Sequence, residues 1–486
     1  MNNLFYRPSG AWVGDLIPYY HEDTFYLYYL HDERRNGVYG DTTWYETHTK
    51  DFVHYSEAIE TIPRGNNKDQ DFYAYTGDII EVNGIFHMFY TGVNPNTEFC
   101  SDGRTVQAVM HAISKDLKTW KKIKDDTFFS PGGIYELHDW RDPFVFWNEE
   151  KEEYWMLLAA RLKTGPHRRR GCIALCKSKD LSSWEVDDPF WAPNLYMTHE
   201  CPDLFKIGDW WYLVYSTFSE QFTTHYRMSK NLEGPWIAPE RDTFDGRAFY
   251  AAKTVSDGNK RFACAWNPTK KGEYDNGDWE WAGSMVIHEL VQNGDGTLDV
   301  KLPTSIEKSF TQPKKADYPK VLGKTSSMSN GIELEGLDSF ICAAGQDTSD
   351  NFFLTGNITL LEQTRGCGIM LKTSDDLNEA YYLRIEPQRN RLVFDQWPRK
   401  DWGTEQWQVG GDIPHAIELE RPFHFKLNTS YSIKILVEGT MGVIYINNQV
   451  AMNFRMYDLT KPNWGVFVNE GNVKFEDFTL YKREVQ

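Results

Sequence analysis

Four segments of this chain repeat one short pattern, and long-range self-similarity of that kind commits a chain to repeated structural units. They are Thr49-Lys50-Asp51-Phe52 ending at Tyr55, Ser114-Lys115-Asp116-Leu117 ending at Trp120, Ser178-Lys179-Asp180-Leu181 ending at Trp184, and Ser229-Lys230-Asn231-Leu232 ending at Trp236. The Ser/Thr and Asp/Asn side chains form turns by bonding nearby backbone. Most of the segments follow an apolar or alternating run that reads as a strand, such as Ala108–Ile113 and Cys172–Cys176. The closing aromatic ring then falls on the outer strand of the unit. A second recurrence precedes these turns: aromatic-rich strands at Phe25–Leu30, Phe86–Thr91, Tyr154–Ala159, Trp210–Ser216 and Arg261–Trp266. Their starts lie roughly 50 to 70 residues apart, which suits propeller blades carrying long loops. Helical periodicity is weak throughout, so an all-β, five-bladed propeller is the expected fold of the first 305 residues.

A third recurrence carries chemistry. Shortly before each aromatic strand, where a blade's innermost strand belongs, stands an acidic residue: Asp15, Asp78, Asp142, Glu200 with Asp203, and Asp245. Innermost strands line a propeller's central channel, so these carboxylates are expected to converge at one end of it. Scattered acids are ordinarily solvated surface; acids at equivalent places in successive repeats are not explained that way.

From 306 to 325 the sequence turns polar and irregular, with Gln312-Pro313-Lys314-Lys315 and Tyr318-Pro319, and reads as a linker. Beyond it, alternating runs at 357–361, 368–371, 381–385, 391–394, 431–437, 442–446 and 475–480 are separated by turn signals such as Asn447-Asn448. Short strands at this spacing predict a C-terminal β-sandwich over 326–486. No convergent carboxylates or His clusters stand out in it, so its expected role is structural or sugar-contacting.

Bulk properties exclude several classes. The net charge of −18 disfavours nucleic acid and anionic membranes as partners. The one basic run, His167-Arg168-Arg169-Arg170, fits either an exposed hairpin loop or a contact to an anionic sugar group. Seven cysteines without a CxxC pair indicate neither a zinc site nor a disulfide framework. The N-terminal residues lack the apolar stretch of a signal peptide, and no run reaches transmembrane length, so a cytoplasmic protein is expected. No Gly-rich phosphate loop, G-x-S-x-G elbow or metal-spaced His set is visible. Aromatic residues make up 15% of the chain, enough to fill a core and still supply rings on which sugars stack.

Glycosidic bond cleavage needs two carboxyl groups in different protonation states, one to attack the anomeric carbon or activate water and one to protonate the leaving oxygen. Repulsion within a carboxylate-rich channel, together with burial, keeps one of them protonated. Arg141, next to Asp142, is expected to hold that Asp ionised and leave Glu200 as the acid.

These motifs resemble glycoside hydrolase family 32, the invertase, inulinase and levanase group that acts on β-fructofuranosides. The resemblance rests on Trp140-Arg141-Asp142-Pro143, similar to the family's Arg-Asp-Pro motif, and on Glu200-Cys201-Pro202-Asp203, similar to its Glu-Cys motif. Trp12-Val13-Gly14-Asp15 stands at the place of the family's Trp-Met-Asn-Asp-Pro-Asn-Gly motif, and Tyr75-Thr76-Gly77 at that of Phe-Ser-Gly. Trp44, Phe249-Tyr250-Ala251 and Trp281 through Ser284 also fit. The resemblance implies a retaining β-fructofuranosidase with Asp15 as nucleophile, Glu200 as general acid/base and Asp142 as transition-state stabiliser. It implies that Trp44, Tyr75 and Arg141 shape the sugar pocket and that Cys201 tunes Glu200. Trp12 and Asp78 are counted with the substrate-binding residues. A carbohydrate is the implied partner, and no metal or organic cofactor is implied. Two departures stand out: Gly14 replaces the Asn before the nucleophile, and Leu30 replaces a Gln that helps hold the sugar. Both remove amide hydrogen bonds of the kind that discriminate strongly when buried, so sucrose or plain inulin is not the expected preferred substrate. Alternatives are a glycosidase of another five-bladed family acting on arabinofuranosides or other furanosides, and a non-catalytic carbohydrate-binding protein.

Overall fold

The computed structural model describes residues 4–37, 40–345, 348–397 and 419–483. Among these residues the chain is all-β; the one α-helix is the five-residue Thr304–Lys308. Among the described residues no helix is long and apolar enough to cross a membrane. The chain divides into two compact units. The first comprises Met1–Phe244, Phe249–Pro268 and Trp281–Leu298; the second comprises Asp245–Ala248, Thr269–Glu280 and Asp299–Gln486.

The first unit is a succession of antiparallel meanders. The first runs Trp12–His21, Thr24–Asp32, Thr43–Thr49 and Ile59–Ile62. The second contains Tyr73–Val82, Ile85–Val93, Gln107–Ser114 and Lys121–Lys122, and the third Tyr135–Asn148, Glu153–Leu162, Gly171–Ser178 and Glu185–Val186. The fourth is Glu200–Ile207, Trp210–Thr217 and Thr223–Ser229. Tyr250–Ser256 and Arg261–Lys270 begin the fifth, whose strand Trp279–Gln292 pairs back onto the first meander at Val13 and Gly283. Each middle strand is one of the aromatic-rich runs, and its rings fill the space between neighbouring sheets: Tyr28, Trp44, Met88 and Tyr90 share one buried cluster.

The repeated Ser/Thr-Lys-Asp turn has a physical basis visible in three of its copies. Asp116 Oδ1 accepts from the backbone of Lys118 at 2.9 Å and Thr119 at 2.7 Å, while Ser114 Oγ accepts from Leu117 N at 3.0 Å. Asp51 and Asp180 bond the corresponding amides. The residue after each Asp sits in the left-handed region (Phe52, Leu117 and Leu181 at φ 57°, 62° and 66°), and its buried side chain plugs the turn into the core. Side-chain oxygens that replace absent ladder bonds make such a turn affordable without glycine.

The innermost strands share a feature: one extra residue against the strand that follows. Gly14 and Asp15 face the single Leu30. Thr76 has no opposite number between the Tyr75–Thr91 and Gly77–Tyr90 pairs. Asp142 and Pro143 face Leu158, Cys201 and Pro202 face Tyr215, and Ala251 and Ala252 face Ala265. A bulge of this kind interrupts the ladder and re-aims side chains. Asp142, Cys201 and Ala251 take positive φ (58°, 50° and 56°), a conformation costly for residues with a Cβ and held only where the surroundings fix it.

The second unit gathers Gly331–Ala344, Asn351–Leu360, Gly366–Leu371, Tyr381–Glu386, Thr429–Glu438, Met441–Ile446 and Val450–Arg455 around the 20-residue strand Trp464–Arg483. Their inward side chains form one large apolar cluster that includes Leu354, Ile369, Leu383, Ile435, Phe454 and Phe475. Within 306–325, read from the sequence as a linker, Phe310–Lys315 pairs with Trp464–Arg483 and Lys320–Leu322 pairs with Gly331–Ala344.

Two of the acids on innermost strands tie neighbouring meanders together. Asp78 Oδ2 accepts from Val145 N at 2.9 Å, and Asp203 Oδ2 from Thr254 N at 2.6 Å. An unsatisfied buried N–H costs about 1–3 kcal/mol. Asp78→Ala should therefore lower unfolding free energy in urea by about that amount, with Asp78→Asn, which keeps an acceptor, losing less. Equal stability of the alanine variant and wild type would contradict the tie.

Candidate active site

Four of the five bulges supply a residue to one cavity of about 420 Å³ in the first unit: Asp15, Thr76, Asp142 and Cys201. Tyr75, Arg141, Glu200 and Tyr250 enter it from positions beside the bulges, with Gln107, Asp139, Leu30, Gly40 and Trp281 completing the walls. Each of those four bulges turns inward a residue that regular alternation would aim elsewhere.

Asp15 is the most enclosed of the three acids in hydrogen-bond terms. Trp266 Nε1 donates to Oδ1 at 2.9 Å, the Thr76 hydroxyl donates to Oδ2, and Cys201 Sγ lies 3.8 Å from Oδ2. Burial, and then the charge of Asp142, push its pKa from the ordinary 3.8 to about 7, against the pull of the Thr76 and Trp266 donors. Asp142 is held by the backbone: Cys201 N donates to Oδ2 at 3.0 Å, and Asp142 N itself donates to Thr91 Oγ1 at 2.7 Å. Its pKa is raised by burial; Arg141 opposes that rise and Glu200 adds to it. Glu200 accepts from Arg141 Nη2 at 3.0 Å on one oxygen and from the Tyr250 hydroxyl at 2.7 Å on the other.

Arg141 differs from expectation. Its guanidinium lies 3.0 Å from Glu200 and 3.0 Å from Asp139, but its nearest approach to Asp142 is 3.9 Å. Adjacency in sequence is a poor guide here, because the bulge at Asp142 turns the two neighbours apart. Burial alone would weaken the arginine's hold on its proton; the carboxylates of Glu200, Asp142 and Asp139 more than reverse that. A second cation, Lys253, reaches from the fifth meander to Gly77 O at 2.8 Å and lowers the pKa of Asp142 and Cys201.

Of the residues singled out in the sequence, Asp15, Asp142, Glu200, Tyr75, Arg141 and Cys201 line the cavity. Trp12, Trp44 and Asp78 do not. Trp44 is fully buried behind Tyr75, donating to its backbone oxygen at 3.0 Å. Trp12 supports Arg34, whose guanidinium carbon lies 4.0 Å from the ring centroid. Asp78 serves the meander tie described above. Asp245 also departs from the expected ring of acids: it belongs to the second unit, where Asn453 donates to it from N at 2.9 Å and Nδ2 at 2.7 Å. Sequence reasoning did not assign Thr76, Gln107, Asp139, Tyr250, Lys253 or Trp266 to the site. Tyr250 and Lys253 flank the fifth bulge, so extending the repeat alignment to that strand was the available signal; Gln107 and Asp139 gave none.

Paired, buried carboxyl groups with divergent surroundings in a sugar-sized cavity are the equipment of a glycoside hydrolase. Comparison with known proteins makes the class specific. Residues 6–299 match the model of the glycosyl hydrolases family 32 N-terminal domain, and the chain belongs to that family. It is 24% identical over 325 residues to the sucrose-6-phosphate hydrolase of Vibrio alginolyticus, covering 61% of this chain and 63% of that one. It is likewise 24% identical over 324 residues to the levanbiose-producing levanase of Bacillus subtilis, covering 58% of this chain and 56% of that one. The alignments thus span somewhat under two thirds of these relatives. Among solved structures, fructan 1-exohydrolase IIa from Cichorium intybus superposes with a TM-score of 0.74 at 16% identity, over 99% of this chain and 98% of that one.

The raised pKa of Asp15 has a stability consequence. Between its unfolded value near 3.8 and its folded value of about 7, the native state holds a proton that the unfolded state releases, so the Asp15 contribution to stability declines as pH rises through that window. Asp15→Asn, which cannot ionise, should gain in melting temperature over wild type, by about 2 °C or more at pH 8 and by less at pH 4. A gap that is equal at both pH values would contradict the shifted carboxyl.

Proposed function

We propose that the protein hydrolyses β-fructofuranosides with retention of configuration, through a fructosyl ester on Asp15. The observation that carries this reading is the division of labour among the three clustered acids. Asp15 is aligned by two donors and has no cation bonded to it, whereas Glu200 sits between a phenol and a guanidinium. On this reading the five meanders are the blades of a five-bladed propeller within a catalytic domain spanning 1–305. Residues 306–325 join it to a β-sandwich domain over 326–486.

The Asp15 carboxylate attacks the anomeric carbon of the fructosyl group as Glu200 gives its proton to the departing oxygen. Glu200 then takes a proton from water, which attacks the same carbon and releases fructose, and Asp15 leaves as the carboxylate. Asp142 accepts hydrogen bonds from the sugar hydroxyls, which strengthen as positive charge develops at the anomeric centre. Arg141 is shared between Glu200 and the incoming sugar. Tyr250 holds the other Glu200 oxygen throughout. Trp266 and Thr76 keep Asp15 aimed and favour its ionised form.

The relatives named sucrose-6-phosphate hydrolase and levanase support a fructoside as substrate class. Glu200→Gln and Asp15→Asn should each lower kcat by about 10³-fold or more while folding normally, a loss typical of removing an acid/base or a nucleophile. The test of stereochemistry is transfer to methanol during turnover of a β-fructofuranoside. Methyl β-fructofuranoside, detected by NMR, is the expected product. Methyl α-fructofuranoside would replace the double displacement with a single one, and release of a pentose from pentofuranosides alone would move the enzyme to another sugar.

A further inference from the structure

The cavity has two unlike walls. From the second to the fifth meander its lining is polar, with carboxylates, a guanidinium, an amide and hydroxyls. On the other side, where the first meander meets Trp279–Gln292, it offers Leu30 and the ring of Trp281. Leu30 carries no side-chain donor or acceptor, and Gly14, against the indole, adds no side chain. This wall is rigid by construction. A Cβ at Gly14 would lie 2.4 Å from Trp281 Cη2 and 3.1 Å from Leu30 Cβ, so the indole occupies the room a side chain at 14 would need. Arg34, stacked on Trp12, donates from Nη2 to Trp281 O at 2.7 Å, and Trp266 packs against the indole with centroids 5.8 Å apart. Trp266 also holds the nucleophilic Asp15. The apolar face is therefore fixed to the same frame as the reacting carboxylate.

We infer that the Leu30–Trp281 wall is a specificity-determining surface that receives a C–H or methyl face of the donor furanoside and discriminates against a hydroxyl there. The inference rests on the fructosidase reading above. A sugar hydroxyl pressed against Leu30 exchanges water for carbon and finds no partner, whereas a hydroxyl removed from the opposite wall takes away a hydrogen bond to Arg141, Asp139 or Asp142 that no water-exposed group replaces. The two losses differ in size. An apolar pocket rejects an added hydroxyl by about 10²-fold at most, while a site built to bond a hydroxyl rejects the analogue lacking it by about 10⁴-fold. The substrate class that satisfies both walls is a fructofuranoside deoxygenated or alkylated at the one position that faces Leu30 and Trp281.

The test is kcat/KM for sucrose and for its analogues deoxygenated in turn at C1, C3, C4 and C6 of the fructosyl group, measured for wild type, Leu30→Gln and Leu30→Met. In wild type, one analogue should match or exceed sucrose, by about 100-fold at most, and the others should fall by about 10³-fold or more. L30Q, which brings an amide to the wall, should lower the ratio of that analogue to sucrose at least 10-fold, and L30M should leave it unchanged. The Met variant guards against reading a general packing defect as a change in specificity. If all four analogues lose activity together while sucrose turns over, or if L30Q leaves every ratio unchanged, the wall is not selective and the fructosidase reading stands. Turnover by wild type of none of the five compounds, and of no fructan or fructooligosaccharide run alongside them, removes both.

Discussion

One extra residue in each innermost strand is the constraint on which the rest of the site depends. A regular strand alternates its side chains, and the five meanders would then present only what alternation allowed. The insertion at Asp15, Thr76, Asp142, Cys201 and Ala251 breaks alternation in every sheet, and at the first four breaks it brings a side chain into one cavity. The conformational cost is visible in the positive φ of Asp142, Cys201 and Ala251. It is offset by bonds that only the bulged backbone makes: Cys201 N to Asp142, and Asp142 N to Thr91. Backbone strain at this place is thus coupled directly to the orientation of a cavity carboxylate.

Crowding three carboxyl groups into one cavity settles the electrostatics that follow. Burial and mutual repulsion raise Asp15 to about 7 and also raise Asp142, so the cluster as a whole resists full ionisation. The charges of Arg141 and Lys253 limit that rise at Asp142. Buried acids that repel one another in this way do not all ionise together. The apolar wall of Leu30 and Trp281 leaves the polar groups on the other side to do all of the hydroxyl reading.

Much of this was legible in the sequence, for identifiable reasons. The Ser/Thr-Lys-Asp turns are local: Asp116 bonds residues two and three positions ahead, so the pattern could be read without knowing what packs against it. The aromatic strands show the same independence, and together they give the repeat that makes Asp15, Asp142 and Glu200 equivalent. What the sequence could not show is direction. Asp203 stands on the strand of Glu200 and Asp78 on that of Thr76, yet both lie past the bulge and bond backbone of the next meander; Asp245 falls in the second unit altogether. A bulge shifts every later side chain to the other face, and its presence is written in pairing register, not in residue type. For the same reason Arg141, adjacent to Asp142, turns to Glu200 instead. The linker expected at 306–325 contains paired strands, because polar and Pro-bearing segments such as Phe310–Lys315 add to a sheet along an edge that tolerates them.

The central claim is that Asp15 becomes covalently bonded to the sugar while Glu200 supplies the proton. It is tested most directly by mixing the Glu200→Gln variant with a fructoside bearing a good leaving group, quenching in acid, and sequencing the proteolytic peptides by mass spectrometry. The account predicts one anhydrofructosyl unit on the peptide containing Asp15, located at that carboxylate and absent from Asp15→Asn. A sugar adduct on Asp142 instead would contradict it, as would rapid turnover by the Glu200→Gln variant with no adduct anywhere.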